Sequence, residues 1–352
     1  MNNHFLKTSF AVAVAIAVSA SAGWSQQPSD GPYKILKTVK VGNEGGFDYV
    51  NVDVENRRLY VARRSTPPQV FVYNLDTLEP VGAVPDTSAH GAVIDPKSHH
   101  GVATSNPLTL FDTETLKPIK KLEVKGNPDG AMYDPSNQRV YILSHPSPHV
   151  TVIDPKDGSV ISTFDIGGAP EQAAADGMGH VYIDVEDKEN IAVVDTKTLT
   201  VTGHYDVTGS GGTCAGLAVD AKNRVLFAAC RKPANMVMLN ADTGKILKTL
   251  PIGTASDGAL FNPNTMEAFS SNSEGTLSIV KENSATDFVL EQTLKTMPGA
   301  KTSALDTKTN HVILIAAEYG PAEAAAPAAD GKKNNGRGPM IPGSFSIIVV
   351  GK

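Results

Sequence analysis

One phrase, written three times with small changes, constrains this chain more than any bulk property. It reads "HGAVIDP" at 90–96, "DGAMYDP" at 129–135 and "SDGALFNP" at 256–263. Extending the alignment to weaker copies gives seven units, anchored on a turn residue at Asp53, Asp95, Asp134, Asp176, Asp220, Asn262 and Asp306, with separations of 42, 39, 42, 44, 42 and 44 residues. A period near 40 holding about four short strands is the signature of propeller blades, not of helical solenoids. The third unit shows the plan: "GAMYD", "RVYILSH", "HVTVID" and "SVISTFDI" read as strands rich in β-branched and aromatic residues, parted by the turns "PSNQ" and "PKDG". The 31 Gly, 23 Pro and 19% charged residues suit such a texture.

The reading is therefore all-β, a seven-bladed β-propeller spanning 33–352. A lone four-stranded sheet cannot bury both faces, so blades must pack in a ring. The last unit stops one strand short after "SFSIIVVGK" (344–352), while "YKILKTVKVG" (33–42) precedes the first full unit. The N-terminal strand is expected to complete the last blade and close the ring. The segment 319–343, rich in Ala, Pro and Gly, reads as a loop inserted in the last blade, either a lid over the ring's mouth or a passive insert.

Upstream, Lys7 and the apolar run "FAVAVAIAVSASA" (10–22) read as a signal peptide at 1–22, cleaved near Ala22, followed by a linker at 23–32. The run is too short for a spanning helix of roughly 20 residues, and no second stretch would cross a bilayer. The expected location is periplasmic or secreted, with no membrane span in the mature chain. A net charge of −6 offers no general attraction for phosphate backbones, so nucleic acid is an unlikely partner. The basic residues Arg63, Arg64, Arg231, Lys232, Lys332, Lys333 and Arg337 are the set a single-stranded nucleic acid would need; the one Trp, Trp24, lies beside the leader.

The strand phrases resemble the YncE-like, or YVTN-repeat, family of exported seven-bladed propellers, through "RLYVARR...VFVYNLDTLEPV", "RVYILSH...VTVIDPKDGSV" and "HVYIDVEDKENIAVVDTKTLTV". The resemblance implies export and the seven-bladed fold. It implies no catalytic residue, because the family has no settled reaction. Where the family carries Asn after the second strand, this chain has Arg63, Ser144 and Asp184.

The anchoring Asp and Asn residues are expected to cap their own turns. The letter five residues before each anchor is another matter: Asp48, His90, Asp129, Glu171, Ala215, Asp257 and Lys301, six of them ionisable. In a propeller this letter starts the innermost strand, so all seven should meet at one mouth of the central channel. Arg63, Arg64, His145, Glu186, Asp187, Arg231, Lys232 and Glu318, after the second strands, should join the rim. The candidate ligand-binding set is Asp48, Arg63, His90, Asp129, His145, Glu171, Asp257 and Lys301. Three readings stay open: a wet but idle mouth, a site for an unknown small polar ligand or a periplasmic protein without chemistry, and a divalent cation held by carboxylates in a metal-assisted, lactonase-like hydrolase. Haem and nucleotide motifs are absent from the sequence. Cys214 and Cys230 flank the turn "AKNR" symmetrically, should face each other across a hairpin, and are expected to form a disulfide in an oxidising compartment.

Overall fold

The structure is a computed structural model that describes Met1 and residues 30–42, 44–321 and 338–352. The expected leader and most of the linker lie outside these residues, as do Trp24, Lys332, Lys333, Arg337 and the body of the 319–343 insert.

Among the described residues the strands form seven four-stranded antiparallel sheets, the blades of a propeller. Their innermost strands are Gly46–Asp53, Ala89–Asp95, Pro128–Asp134, Pro170–Ala175, Cys214–Asp220, Ser256–Asn262 and Ser303–Asp306. Each of these strands touches the next, and the seventh touches the first, so the ring is closed around a channel. The clasp is the expected one: Lys34–Lys40 pairs antiparallel with Ser346–Gly351 and forms the outermost strand of blade 7. Both chain ends then anchor on blade 6. The Tyr33 hydroxyl donates to the buried Glu267 carboxylate, Lys352 Nζ donates to the same group at 2.6 Å, and Gln292 exchanges two 2.9 Å hydrogen bonds with the Tyr33 backbone.

Blades bury both faces, which is why their middle strands read as near-continuous apolar runs. In Arg58–Arg64, Leu59 and Val61 face blade 7 while Tyr60 and Ala62 face blade 2, following the period of two. Seven apolar clusters fill the seven interfaces. Each fully buried Val, Leu or Phe contributes about 1.5–3 kcal/mol, so the interfaces outweigh any polar contact described below. Close packing also dictates composition: a Cβ on Gly101 would fall 2.1 Å from the Phe111 ring.

The anchoring residues behave as turn caps. Asp53 accepts the backbone N–H of Asn56, and the other six each accept the N–H two residues on, at Lys97, Ser136, Met178, Lys222, Asn264 and Lys308. The insert in blade 7 is pinched at its base, where Tyr319 bridges Met340 and Gly320 N donates to Pro339 O. The choice between a lid and a passive insert falls on residues outside those described. Among the described residues no helix is long and apolar enough to cross a membrane.

Candidate functional site at the channel mouth

The variable letter sits one or two residues inside the innermost strand, not at its first residue, and a β-bulge marks it. In blades 1 to 6 the pairing slips between Phe47 and Val50, Ala89 and Ala92, Pro128 and Ala131, Pro170 and Ala173, Cys214 and Gly216, and Ser256 and Gly258. A bulge frees its residues from the strict up-and-down alternation of a strand and re-aims their side chains. In blade 7 Lys301 and Thr302 precede the strand, and the Thr302 hydroxyl bonds Asp48 O.

The result is a linked series of charges around the mouth. Lys301 Nζ lies 2.8 Å from Asp48 Oδ1 and 2.5 Å from Asp257 Oδ2. His90 Nδ1 lies 2.9 Å from Asp48 Oδ2 and 2.9 Å from Asp129 Oδ1. Blade 5 has Ala215 at this position, and Arg231, from the end of its second strand, takes the vacant place. Its guanidinium contacts Asp257, sits 2.5 Å from Glu186 Oε1 and reaches to 4.0 Å from Glu171 Oε1. His145 stands at the edge, with Nε2 3.9 Å from Asp129 Oδ2, and Arg64 Nη1 is 3.2 Å from His90 Nε2.

These contacts set protonation. Hydrogen bonds to Asp129 and then Asp48 raise the His90 imidazole to about 9. Burial, with Glu186 beside it, pushes Glu171 up to about 9, so it holds a proton at neutral pH. Burial would raise Asp48, but His90 and Lys301 outweigh it and hold the carboxyl below its ordinary value. Burial likewise works against the Lys301 charge, and Asp257 and Asp48 more than offset it, raising Lys301. Below the ring, Asp184 is fully buried on blade 4 with neither carboxylate oxygen hydrogen-bonded. Desolvation drives its pKa well up, which leaves it a neutral acid.

Beneath the mouth lies a cavity of about 420 Å³ lined by Tyr49, Glu171, Gln172 and residues of the innermost strands. Sequence reasoning missed the two side chains that shape it. One residue after the variable letter stand Tyr49, Gly91, Gly130, Gln172, Gly216, Gly258 and Thr302. The repeated Gly has a steric cause: a Cβ on Gly216 would lie 2.6 Å from Ala259 N, and one on Gly91 3.0 Å from Tyr49 Cβ. Where the phrase replaces that Gly with a large residue, the side chain enters the channel. Gln172 Oε1 accepts the N–H groups of Leu217 and Ala259, and its Nε2 donates to Ala259 O, tying blade 4 to blades 5 and 6. Tyr49 crosses from blade 1 until its hydroxyl is 3.5 Å from the Cβ position of Gly130 on blade 3. Burial, then the nearby Asp129, Glu171, Asp48 and Asp257, push its phenol well above 10. The signal was available as the exceptions to a repeated Gly.

Of the expected set, Asp48, His90, Asp129, Glu171, Asp257 and Lys301 come together, with His145 at the edge. Arg63 does not join them. It is 1% exposed, its guanidinium lies 3.6 Å from the Phe345 ring centroid, and its Nη2 donates to Gly45 O; burial lowers its pKa to about 10. Of the other expected rim residues, Glu318 pairs with Lys40 and Asp187 caps Ala169 N. A nucleic acid would find Arg63 stacked on rings and Arg231 held by carboxylates. Cys214 and Cys230 pair in register and form the expected disulfide beside Arg231.

Asp48, His90 and Asp129 bring one ligand atom each within 4.8 Å of one another. A Ca²⁺ ion wants six to eight oxygens, and here one Asp48 oxygen is already held by Lys301. A zinc-like ion suits the mixed nitrogen and oxygen donors better, but it must displace the proton that two carboxylates keep on His90.

No protein-family model matches the chain, and no curated protein matches it. Among solved structures it is similar to a chain of the "Crystal Structure of Mitotic Checkpoint Complex", with a TM-score of 0.66 and 13% identity over 89% of this chain and 96% of that one. At that identity the likeness shows the fold alone.

Proposed function

We propose that this propeller is an exported binding protein of the YVTN-repeat kind, which takes a small polar ligand or a protein side chain at the charged mouth and performs no chemistry on it. One observation carries the reading: side chains from all seven blades build a charged ring over a cavity of about 420 Å³. Pockets of a few hundred Å³ with convergent polar groups are the usual form of a small-molecule site. Export is supported by the disulfide, a bond that persists in oxidising compartments, together with the leader-like N-terminus.

The test is a crystallographic soak of the full chain with a defined set of amino acids, short amines, dicarboxylates and small sugars. Density over the channel mouth, lost in Asp257→Asn, is the expected result. Density only elsewhere, or none, overturns the reading. A metal-assisted hydrolase is the second reading, and the Asp48, His90 and Asp129 group speaks for it. It requires stoichiometric zinc or another divalent ion in the purified protein and a melting temperature that a chelator lowers; protein without metal and indifferent to chelator removes it.

A further inference from the structure

Around the ring the charges run in order from blade 1 to blade 7: Asp48 negative, His90 positive, Asp129 negative, Glu171 a carboxyl, Arg231 positive, Asp257 negative, Lys301 positive. Neighbours of opposite sign attract, and each such junction is closed by a contact already described. Seven is odd, however, and an odd ring cannot alternate all the way round. One seam must bring two like groups side by side, and here it falls between blades 3 and 4, where Asp129 is followed by Glu171. The backbone shows how near the two blades come: Glu171 O lies 3.1 Å from the Cβ position of Gly130, the residue after Asp129. Burial, with Glu186 beside it, leaves Glu171 protonated, and Asp129 and Glu171 are the two carboxyls that bear most strongly on the Tyr49 phenol.

We propose that this seam binds an alkylammonium group, which rests on reading the mouth as a binding surface and names the ligand class. An ammonium has three N–H donors and no acceptor. The seam offers three acceptors from three blades: the Asp129 carboxylate, the Glu171 carboxylate and the Tyr49 hydroxyl, which faces the cavity beside Gly130 and has no hydrogen-bond partner among the described residues. The same ring shows how it treats such a group, because Lys301 Nζ sits between Asp48 and Asp257 at 2.8 and 2.5 Å. A bound ammonium between Asp129 and Glu171 restores opposite signs at the one place where the protein's own side chains cannot. It takes Glu171 as the carboxylate, so binding releases the proton held there.

The ammonium has two sources, a free alkylamine or a lysine side chain of a partner protein. The experiment is calorimetric titration of the full chain with n-butylammonium, 1,4-diaminobutane and the tripeptide Gly-Lys-Gly blocked by N-terminal acetylation and C-terminal amidation, with n-butanol and the same blocked tripeptide acetylated at Nε as uncharged controls. Saturable binding of at least one ammonium compound, and none of the controls, is expected. Asp129→Asn and Glu171→Gln should each weaken it by about tenfold or more, while Glu79→Gln, which removes an exposed charge away from the ring, should leave it unchanged. Glu171→Gln should also melt no lower than wild type at pH 7, which separates lost binding from lost folding. Tighter binding of the tripeptide assigns the source to a protein, and tighter binding of the diamine to a free amine. Absence of saturable binding by all three ammonium compounds, or affinity unchanged in both seam variants, overturns the proposal. If sugars or dicarboxylates still bind over the mouth in that event, the binding surface stands and the seam assignment alone falls.

Discussion

Glu171 and Gln172 are neighbours with opposite tasks: one leaves a charge problem open at the mouth, the other closes part of the channel below it. The charge problem has a pH signature whose sign follows from the raised values. Glu171 ionises near 4.5 when unfolded but near 9 in the fold, so its contribution is full below about 4.5 and lost as pH rises through about 9. His90, raised from 6.5 to about 9, contributes fully below about 6.5 and loses that contribution over the same upper range. The buried Glu282, raised to about 7, adds a fall in the same direction. Melting temperature should therefore drop steadily from pH 5 to pH 9, and Glu171→Gln should make the curve shallower between pH 5 and pH 7, a comparison scanning calorimetry makes directly; an equally steep curve in the variant contradicts the assignment. Gly216 gives a second check at this scale. A Val there forces a Cβ against Ala259 N and should destabilise by about 1–3 kcal/mol in urea titration; an unchanged unfolding midpoint contradicts the close approach.

How much of this was legible in the sequence depended on which strand supplied the residue. The variable letter was visible because it keeps register with a repeated turn, and its six ionisable residues come together although none stands at the first residue of its strand, where the spacing puts it. Arg231 was visible only as a rim residue. Its stand-in role for Ala215 depends on a guanidinium reaching across from the neighbouring strand, which no spacing encodes. Arg64 holds the equivalent position in blade 1 and likewise reaches the mouth, at His90; Arg63, one residue earlier, corresponds to Cys230 and by strand alternation points the other way, onto Phe345.

Among elements, the hairpin of blade 5 and the clasp of blade 7 carry the clearest expectations. The disulfide joins residues 16 apart in sequence, and a loop of about that size is worth about 3 kcal/mol of chain entropy. Replacing both Cys214 and Cys230 with Ser should lower unfolding free energy by roughly that amount and loosen Arg231, which follows Cys230 directly. The hairpin was readable from the symmetric placement of two cysteines about a turn. The clasp was readable from a count of strands, but its lock was not: Glu267, where the Tyr33 and Lys352 side chains meet, looks in sequence like any charged residue beginning a strand. Deleting 34–40 should lower the melting temperature of the whole protein in one transition, since it removes the strand that completes blade 7. A transition confined to part of the signal would show instead that blade 7 folds apart from the rest. Lys34, Lys37 and Lys40 face solvent on this outer strand, as Lys120 does in blade 2, and such charges discourage edge-to-edge pairing with other sheets.

For the whole molecule, the count of seven is what ties fold to site. Seven apolar interfaces hold the ring, each built from ordinary strand alternation, and the geometry they impose brings residues as far as 253 positions apart into contact at one mouth. The same odd count prevents the charges there from pairing completely. Composition could not reveal this, because a net charge of −6 says nothing about where opposite charges stand. The repeat could, once its variable letter was read as a ring and not as seven separate residues.

The most direct measurement is a double-mutant cycle between Asp48 and Lys301, which are 253 positions apart in the chain and in contact at the mouth. Unfolding free energies of wild type, Asp48→Asn, Lys301→Met and the double variant should yield a coupling of at least about 1 kcal/mol. Strictly additive effects would mean that blades 1 and 7 do not bring these side chains together, and the charged ring described here would not exist.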